Sequence, residues 1–196
     1  MDVSWKIIDK YFKDNPEFLV QHHLSSYNDF FKTGIVQILK EKNPIRIIKN
    51  PDPKTKDHNL KANLYIGGKE GNKIYYGKPI IYDDKRSHYM YPNEARLRNM
   101  TYGFSIHVEV DVEFLITHHN PEKAGTAEEY NVVETLVTLP QKIYLGRFPI
   151  MLQSNLCVLN NLPGQVRFNM GECKNEPGGY FIIDGKEKAI VCQEKY

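Results

Sequence analysis

No stretch of these 196 residues approaches the eighteen or more consecutive apolar positions of a membrane-spanning helix. Cysteine is scarce: Cys157, Cys173 and Cys192 are three in number and contain no C-x-x-C pair. That argues against a disulfide framework and against a zinc site, and for a reducing compartment. Net charge is nearly absent too, since 26 basic residues against 24 acidic ones leave +2. Totals so balanced give no argument for a nucleic-acid partner, and any basic surface has to come from local clustering. The start, Met1-Asp2-Val3-Ser4-Trp5-Lys6, carries an early acid and no seven-residue apolar core, so a secretory signal is not expected. There is no G-x-S-x-G nucleophile elbow. Residues 67–72 are glycine-rich but lack the G-x-x-x-x-G-K-[ST] spacing and join strand to strand, which reads as a hairpin turn rather than a phosphate cradle.

What is present describes a folded, soluble, intracellular chain. Hydrophobic residues at 41% and charged residues at 26% sit near the globular average, which excludes disorder. The length allows one large domain or two small ones. Thirteen tyrosines suit a protein of many strands and broad protein contacts.

The spacing of Trp5, Ile8 and Phe12 predicts a short amphipathic helix that Asn15-Pro16 ends. Leu24, Tyr27, Phe31, Ile35, Ile38 and Leu39 then share one stripe of a longer helix over 18–41, with Gly34 inside it at a cost of about 1 kcal/mol relative to alanine. Residues 50–59 are polar and proline-bearing, an exposed loop. Strands are expected over 60–66 and 73–78, and a short helix over 92–98 with proline in its first turn. The clearest periodicity follows: Phe104, Ile106, Val108, Val110, Val112 and Phe114 alternate with Ser105, His107, Glu109, Asp111 and Glu113. Period two over eleven residues is a strand with one buried face and one acidic, wet face. Residues 132–139 are its expected partner, across a polar loop at 118–129. Ile143 to Phe148 forms another strand closed by Pro149. A final hairpin runs from the apolar 179–183 through Asp184-Gly185, which tolerate positive φ, to a return strand at Ala189, Ile190 and Val191. These last three strands are expected to make one sheet. The fold class is therefore α+β, two N-terminal helices packed on a mainly antiparallel sheet, with residues 1–42 helical and 60–196 mainly β in one domain.

No catalytic constellation emerges. His22-His23 and His118-His119 are sequence neighbours whose side chains point apart on a helix or strand, so neither pair chelates by itself. Glu109, Asp111 and Glu113 read as the solvated side of a strand. Arg96 and Arg98 flank Leu97, and their guanidinium forks suit tying the short helix to acceptors in a neighbouring sheet; contact with phosphate or another subunit is the functional alternative. Lys186, Lys188 and Lys195 near the hairpin tip suit non-specific phosphate attraction, and Gln193 can hydrogen-bond a backbone or base.

Four segments in order, "SWKIIDKYF" with "LVQHHLSSYNDFF", "YPNEARLRNMTY", "IYLGRFPIML" and "CKNEPGGYFIIDGKEKAIVCQEK", carry a further observation. Together the chain resembles the N-terminal part of the second-largest subunit of multisubunit DNA-directed RNA polymerase, most like the eukaryotic polymerase II type. The resemblance implies a protrusion module that forms one side of the nucleic-acid cleft in DNA-templated transcription. As part of a nucleotidyltransferase it would carry no chemistry and no metal of its own, the whole enzyme's Mg2+ being held elsewhere, mainly by the largest subunit. It implies other polymerase subunits, template DNA, the RNA–DNA hybrid and initiation factors as partners, no membrane, and a nuclear location. A viral split-gene product in a cytoplasmic factory or virion is the alternative, since the family's chain runs on well past Tyr196. The resemblance nominates Gln193 first as a cleft-facing residue, because the bacterial equivalent of "VCQ" lines the rifamycin pocket. Lys195, Lys188, Lys186 and Arg147 follow, with Arg96 and Arg98 as structural or subunit contacts. Gln153 departs from the arginine common after "PIML", which removes one expected ion pair. The competing readings are a stand-alone nucleic-acid-binding protein and an initiation-factor docking module derived from that subunit.

Overall fold

The structure, a computed structural model, describes residues 3–51, 58–84, 86–118 and 132–194. Helices are α1 (Val3–Asp14), α2 (Gln21–Asp29), α3 (Ile35–Lys42), α4 (Pro92–Leu97) and α5 (Gly164–Asn169), with a π turn at Phe30–Gly34. Strands are β1 (Ile45–Pro51), β2 (His58–Ile66), β3 (Ile74–Tyr76), β4 (Ile80–Asp83), β5 (Arg86–Tyr89), β6 (Gly103–His118), β7 (Val132–Val137), β8 (Gln141–Pro149), β9 (Phe181–Ile183) and β10 (Lys186–Lys188). The α+β class stands, with the described pairings antiparallel. The chain forms two compact units that cut across the expected division into helical and β parts: one of Met1–Lys32, Tyr76–Ser105 and Gly146–Tyr196, the other of Thr33–Tyr75 and Ile106–Leu145.

The first unit buries Met90, Ala95, Tyr102, Ile150, Leu152, Leu159 and Ile182 completely; of these, Met90, Ile150, Leu152, Leu159 and Ile182 each contribute about 1.5–3 kcal/mol on leaving water. Tyr102 is its pin. Its amide donates to the Ile182 carbonyl (3.0 Å) and its carbonyl accepts from Ile150 (2.9 Å), so the residue before β6 ties β9 to the exit of β8. Its hydroxyl accepts the Val158 N–H at 3.1 Å and donates toward Cys157 Sγ at 3.6 Å. Gly103 permits that approach, because a Cβ there would stand 2.5 Å from the Phe148 carbonyl oxygen. The α1 stripe is present but unburied, with Trp5 64% exposed. Asp184 and Gly185 adopt φ of 50° and 72°, the double left-handed turn that matches strand twist.

That turn corrects the end of the chain. With two loop residues the register is fixed as Lys186↔Ile183, Glu187↔Ile182 and Lys188↔Phe181, so the return strand is the charged Lys-Glu-Lys, and Ala189, Ile190 and Val191 lie beyond it without strand structure. Nor do three strands join there: β9 and β10 form their own two-stranded sheet and β8 pairs β6.

In the second unit the sheet order is β1-β2-β6-β3, with β7 also pairing β6 as expected. The strands β2 and β3 therefore flank β6, and residues 67–72 make a crossover rather than a hairpin turn. Backbone bonds stitch it down: Gly67 N–H to Glu109 O at 2.7 Å, Lys73 N–H to Gly67 O at 2.9 Å and Glu109 N–H to Lys73 O at 3.1 Å. Gly71 has φ 69°, and a Cβ would press on the α3 backbone at Lys40 N and Val36 O, both 3.1 Å away. Part of the expected loop at 50–59 is strand, since β1 reaches Pro51 and β2 begins at His58; residues 52–57 lie outside the described residues. One sheet face gathers Ile47, Leu60, Ala62, Leu64, Val112 and Phe114 around an apolar depression of about 280 Å³. The long helix expected over 18–41 is interrupted by the π turn, at whose end Gly34 sits.

The acidic side of β6 is less wet than its alternation suggests. Glu109 accepts from the Tyr75 hydroxyl (2.5 Å) and pairs with Lys73 (3.3 Å), and these hold its carboxyl below the usual range. Glu113 is lowered by the Tyr65 hydroxyl (3.1 Å), Asn63 (3.5 Å) and Lys69 (3.3 Å). A carboxylate depressed in the folded state stabilises above its unfolded value and loses that contribution as pH falls through the folded one, because the unfolded chain binds the proton first. Resistance to urea should therefore decline from roughly pH 4.3, the ordinary glutamate value, downward. The double substitution Glu109→Gln, Glu113→Gln should flatten the decline; an unchanged profile would remove these two groups from the account.

Candidate nucleic-acid interface

Alternation on β10 separates its three charges. Lys186 and Lys188 are exposed, and Glu187 between them turns to the opposite side, where Arg96 Nε donates to its Oε1 at 2.7 Å. Arg96 spends its whole fork here. Nη1 donates to Glu172 Oε1 at 2.8 Å and Nη2 to the Tyr180 hydroxyl at 2.8 Å. The Glu172 side chain is 2% exposed and that of Arg96 19%. Burial works against the guanidinium charge, but the hydrogen bonds and charges of Glu172 and Tyr180 outweigh it and raise the Arg96 pKa. Helix α4 is thereby fastened to β10, and the hairpin that carries the lysines is held by a half-buried cation. Arg98 works at the rim of the same helix, donating to Asp83 Oδ1 at 2.7 Å and Glu94 Oε1 at 3.0 Å.

Gln193 is exposed on the strandless segment after β10. Arg147 lies on β8, in another sheet, and its Nη2 donates to the Gly103 carbonyl at 3.4 Å. Lys195 lies outside the described residues. The structure thus groups Lys186 and Lys188 on one strand, places Gln193 a few residues on, and gives Arg147 a backbone partner. Gln153 is buried at φ 66°, and its Nε2 has no hydrogen-bond partner among the described residues. Sequence reasoning missed the acceptors of Arg96, which lie 76, 84 and 91 residues away along the chain. The one local signal is Glu187, an acid set between two lysines. His22 and His23, expected to point apart, have ring centroids 4.0 Å from each other.

The sequence profile of the RNA polymerase beta subunit family matches residues 18–196. The chain belongs to that family. It is 34% identical over 195 residues to the DNA-directed RNA polymerase II subunit RPB2 of Eremothecium gossypii, covering 98% of this chain and 15% of that protein. Against the DNA-directed RNA polymerase subunit Rpo2N of Methanothermobacter thermautotrophicus the identity is 32%, over 98% of this chain and 30% of the archaeal one. The DNA-directed RNA polymerase II subunit 2 of Arabidopsis thaliana is 29% identical over 98% of this chain and 15% of its own length. This beta-subunit chain therefore spans a small share of its relatives' length and corresponds to their N-terminal region. Among the described residues, no helix is long and apolar enough to cross a membrane.

Proposed function

We propose that this beta-subunit chain contributes one side of the nucleic-acid cleft of a DNA-directed RNA polymerase. It acts there as a shaping and positioning element of a nucleotidyl-transfer enzyme, whose Mg2+ is held by other parts of the assembly. Its partners on this reading are the largest subunit, the remaining polymerase subunits, template DNA with the RNA–DNA hybrid, and initiation factors, in the nucleus of a eukaryotic cell. The observation that carries the reading is the family match over residues 18–196. The exposed pair Lys186 and Lys188, on a strand held by Arg96, supports it as a place where phosphate charge is met by ammonium groups on a fixed backbone.

Affinity purification of the tagged chain from its native cell should recover the largest polymerase subunit. In the polymerase so recovered, binding of a fluorescent RNA–DNA hybrid should weaken with salt, and the double substitution Lys186→Glu, Lys188→Glu should lower the slope of log K against log salt by roughly one unit per phosphate contact removed. An unchanged slope would take the hairpin away from the nucleic acid. Tight hybrid binding by the chain without any polymerase subunit would replace this reading with that of a stand-alone nucleic-acid-binding protein.

A further inference from the structure

Three soft or borderline metal-binding groups meet at the start of α2. His22 Nε2 lies 3.3 Å from Cys192 Sγ, the His23 ring lies 4.0 Å from that of His22 at a tilt of 36°, and one donor atom from each of the three residues lies within 4.8 Å of the other two. Two ligands on one tetrahedral zinc, at bond lengths of roughly 2.0 and 2.3 Å, stand about 3.5 Å apart. The histidine–cysteine separation already fits that figure, and the third donor needs only a side-chain rotation. The sequence distance between the partners is 170 residues, so no motif spacing announces the group. His22 and Cys192 are exposed and His23 is half-buried, which leaves an entry path. Behind them is an apolar depression of about 500 Å³ floored by Tyr27, Phe148, Met151 and Phe181, a low-dielectric backing that strengthens charge–ligand attraction.

We propose that His22, His23 and Cys192 form a zinc-type site with two imidazole nitrogens, one thiolate and a fourth position open to water or another donor. The set suits a divalent ion of intermediate softness, because neutral imidazole and thiolate together select zinc over magnesium or calcium. Binding requires the thiol proton to leave, so uptake releases one proton and strengthens with rising pH. The ion fastens the strandless segment after β10 to α2 and so fixes the backbone next to Gln193. This goes beyond the cleft reading and does not depend on it.

Cobalt(II) is the probe, since it occupies zinc sites and reports thiolate ligation by charge-transfer absorption. The chain, freed of metal with a chelator, should take up one equivalent of Co2+ with an intense sulfur-to-cobalt band and tetrahedral visible bands, and one equivalent of Zn2+ should displace it. Cys192→Ser should abolish the charge-transfer band and Cys173→Ser should retain it. His22→Ala and His23→Ala should each weaken binding by about tenfold or more. Far-UV circular dichroism checks that each variant is folded. If Cys192→Ser is not, alkylation of the folded Cys173→Ser chain at Cys192 gives the same test. A band that survives loss of the Cys192 thiol overturns the proposal. So do weak octahedral bands alone, or binding indifferent to both histidines, each of which would leave the 3.3 Å contact as a thiol–imidazole hydrogen bond.

Discussion

Replacing Arg96 with alanine should lower the stability of the chain by about 3–5 kcal/mol in urea unfolding followed by far-UV circular dichroism. The figure is that of breaking a buried ion pair from one side, because the surviving partner is stranded in low dielectric. Here the stranded partner is Glu172, whose side chain is 2% exposed and whose Oε1 receives Nη1 at 2.8 Å. The Tyr180 hydroxyl loses its donor in the same step, and Glu187 keeps the Tyr180 hydroxyl at 3.3 Å but loses the guanidinium. Arg96→Lys keeps the charge but one ammonium cannot reach three acceptors that the planar fork meets at once, so its loss should fall between wild type and alanine. Arg98→Ala is the contrast. Its guanidinium and Asp83 are open to water and Glu94 is half-buried, so solvent screens these pairs and the loss should be much smaller than at Arg96. Equal losses at 96 and 98 would show that Glu172 does not depend on Arg96 for its charge balance. Because Arg96 also reaches Glu187 on β10, its loss should additionally loosen the strand that carries Lys186 and Lys188.

The parts of this fold that could be read from sequence are those fixed by local chemistry. Strand β6 was legible because eleven alternating residues admit one period, and the Asp184-Gly185 turn because both residues tolerate the left-handed φ they adopt. The return strand was misplaced for a physical reason. Ala189, Ile190 and Val191 look like a strand, but the two-residue turn sets the register and makes the exposed Lys-Glu-Lys the partner whatever its polarity. Strand β1 escaped notice because Ile45, Ile47 and Ile48 form too short a run after Pro44 to show a period, and its pairing with β2 is decided across the chain. Residues 150–180 bury Ile150, Leu152 and Leu159 through turns and one short helix, which have no periodic signature to find. At the site, the guanidinium of Arg96 was legible as a fork in search of acceptors, while Glu172 and Tyr180 were not, since nothing local links positions so far apart. The His22, His23 and Cys192 cluster was hidden in the same way: neighbouring histidines diverge on an ideal helix, yet at the first turn of α2 their rings come together.

The second large loss is expected at Phe31. It occupies the π turn, where one added residue re-aims the helix surface, and it is the centre of an aromatic group in the first unit: Tyr27, Tyr76, Phe104 and Phe148 have ring centroids 4.9, 5.8, 5.4 and 6.1 Å from its own. The Tyr76 hydroxyl donates to the Phe31 carbonyl at 2.9 Å and so ties the end of β3 to the turn. Phe31→Ala removes the ring from these four neighbours and from Phe30, 5.0 Å away edge-on, and leaves a cavity between elements far apart in the chain, at about 3–5 kcal/mol. Phe31→Leu fills most of that space but forfeits the edge-to-face geometry, worth roughly 0.5–1.5 kcal/mol for each pair lost, and should fall well short of the alanine loss. Phe30 is the internal control, one residue earlier in the same turn and 38% exposed, and its alanine variant should lose less than half as much. If Phe30→Ala and Phe31→Ala are equally damaging, the turn itself rather than the ring packing supports this part of the first unit. If only Phe31→Ala is severe, the aromatic side chains of one helix turn and of three strand ends form a single cooperative core with the Phe31 ring at its centre.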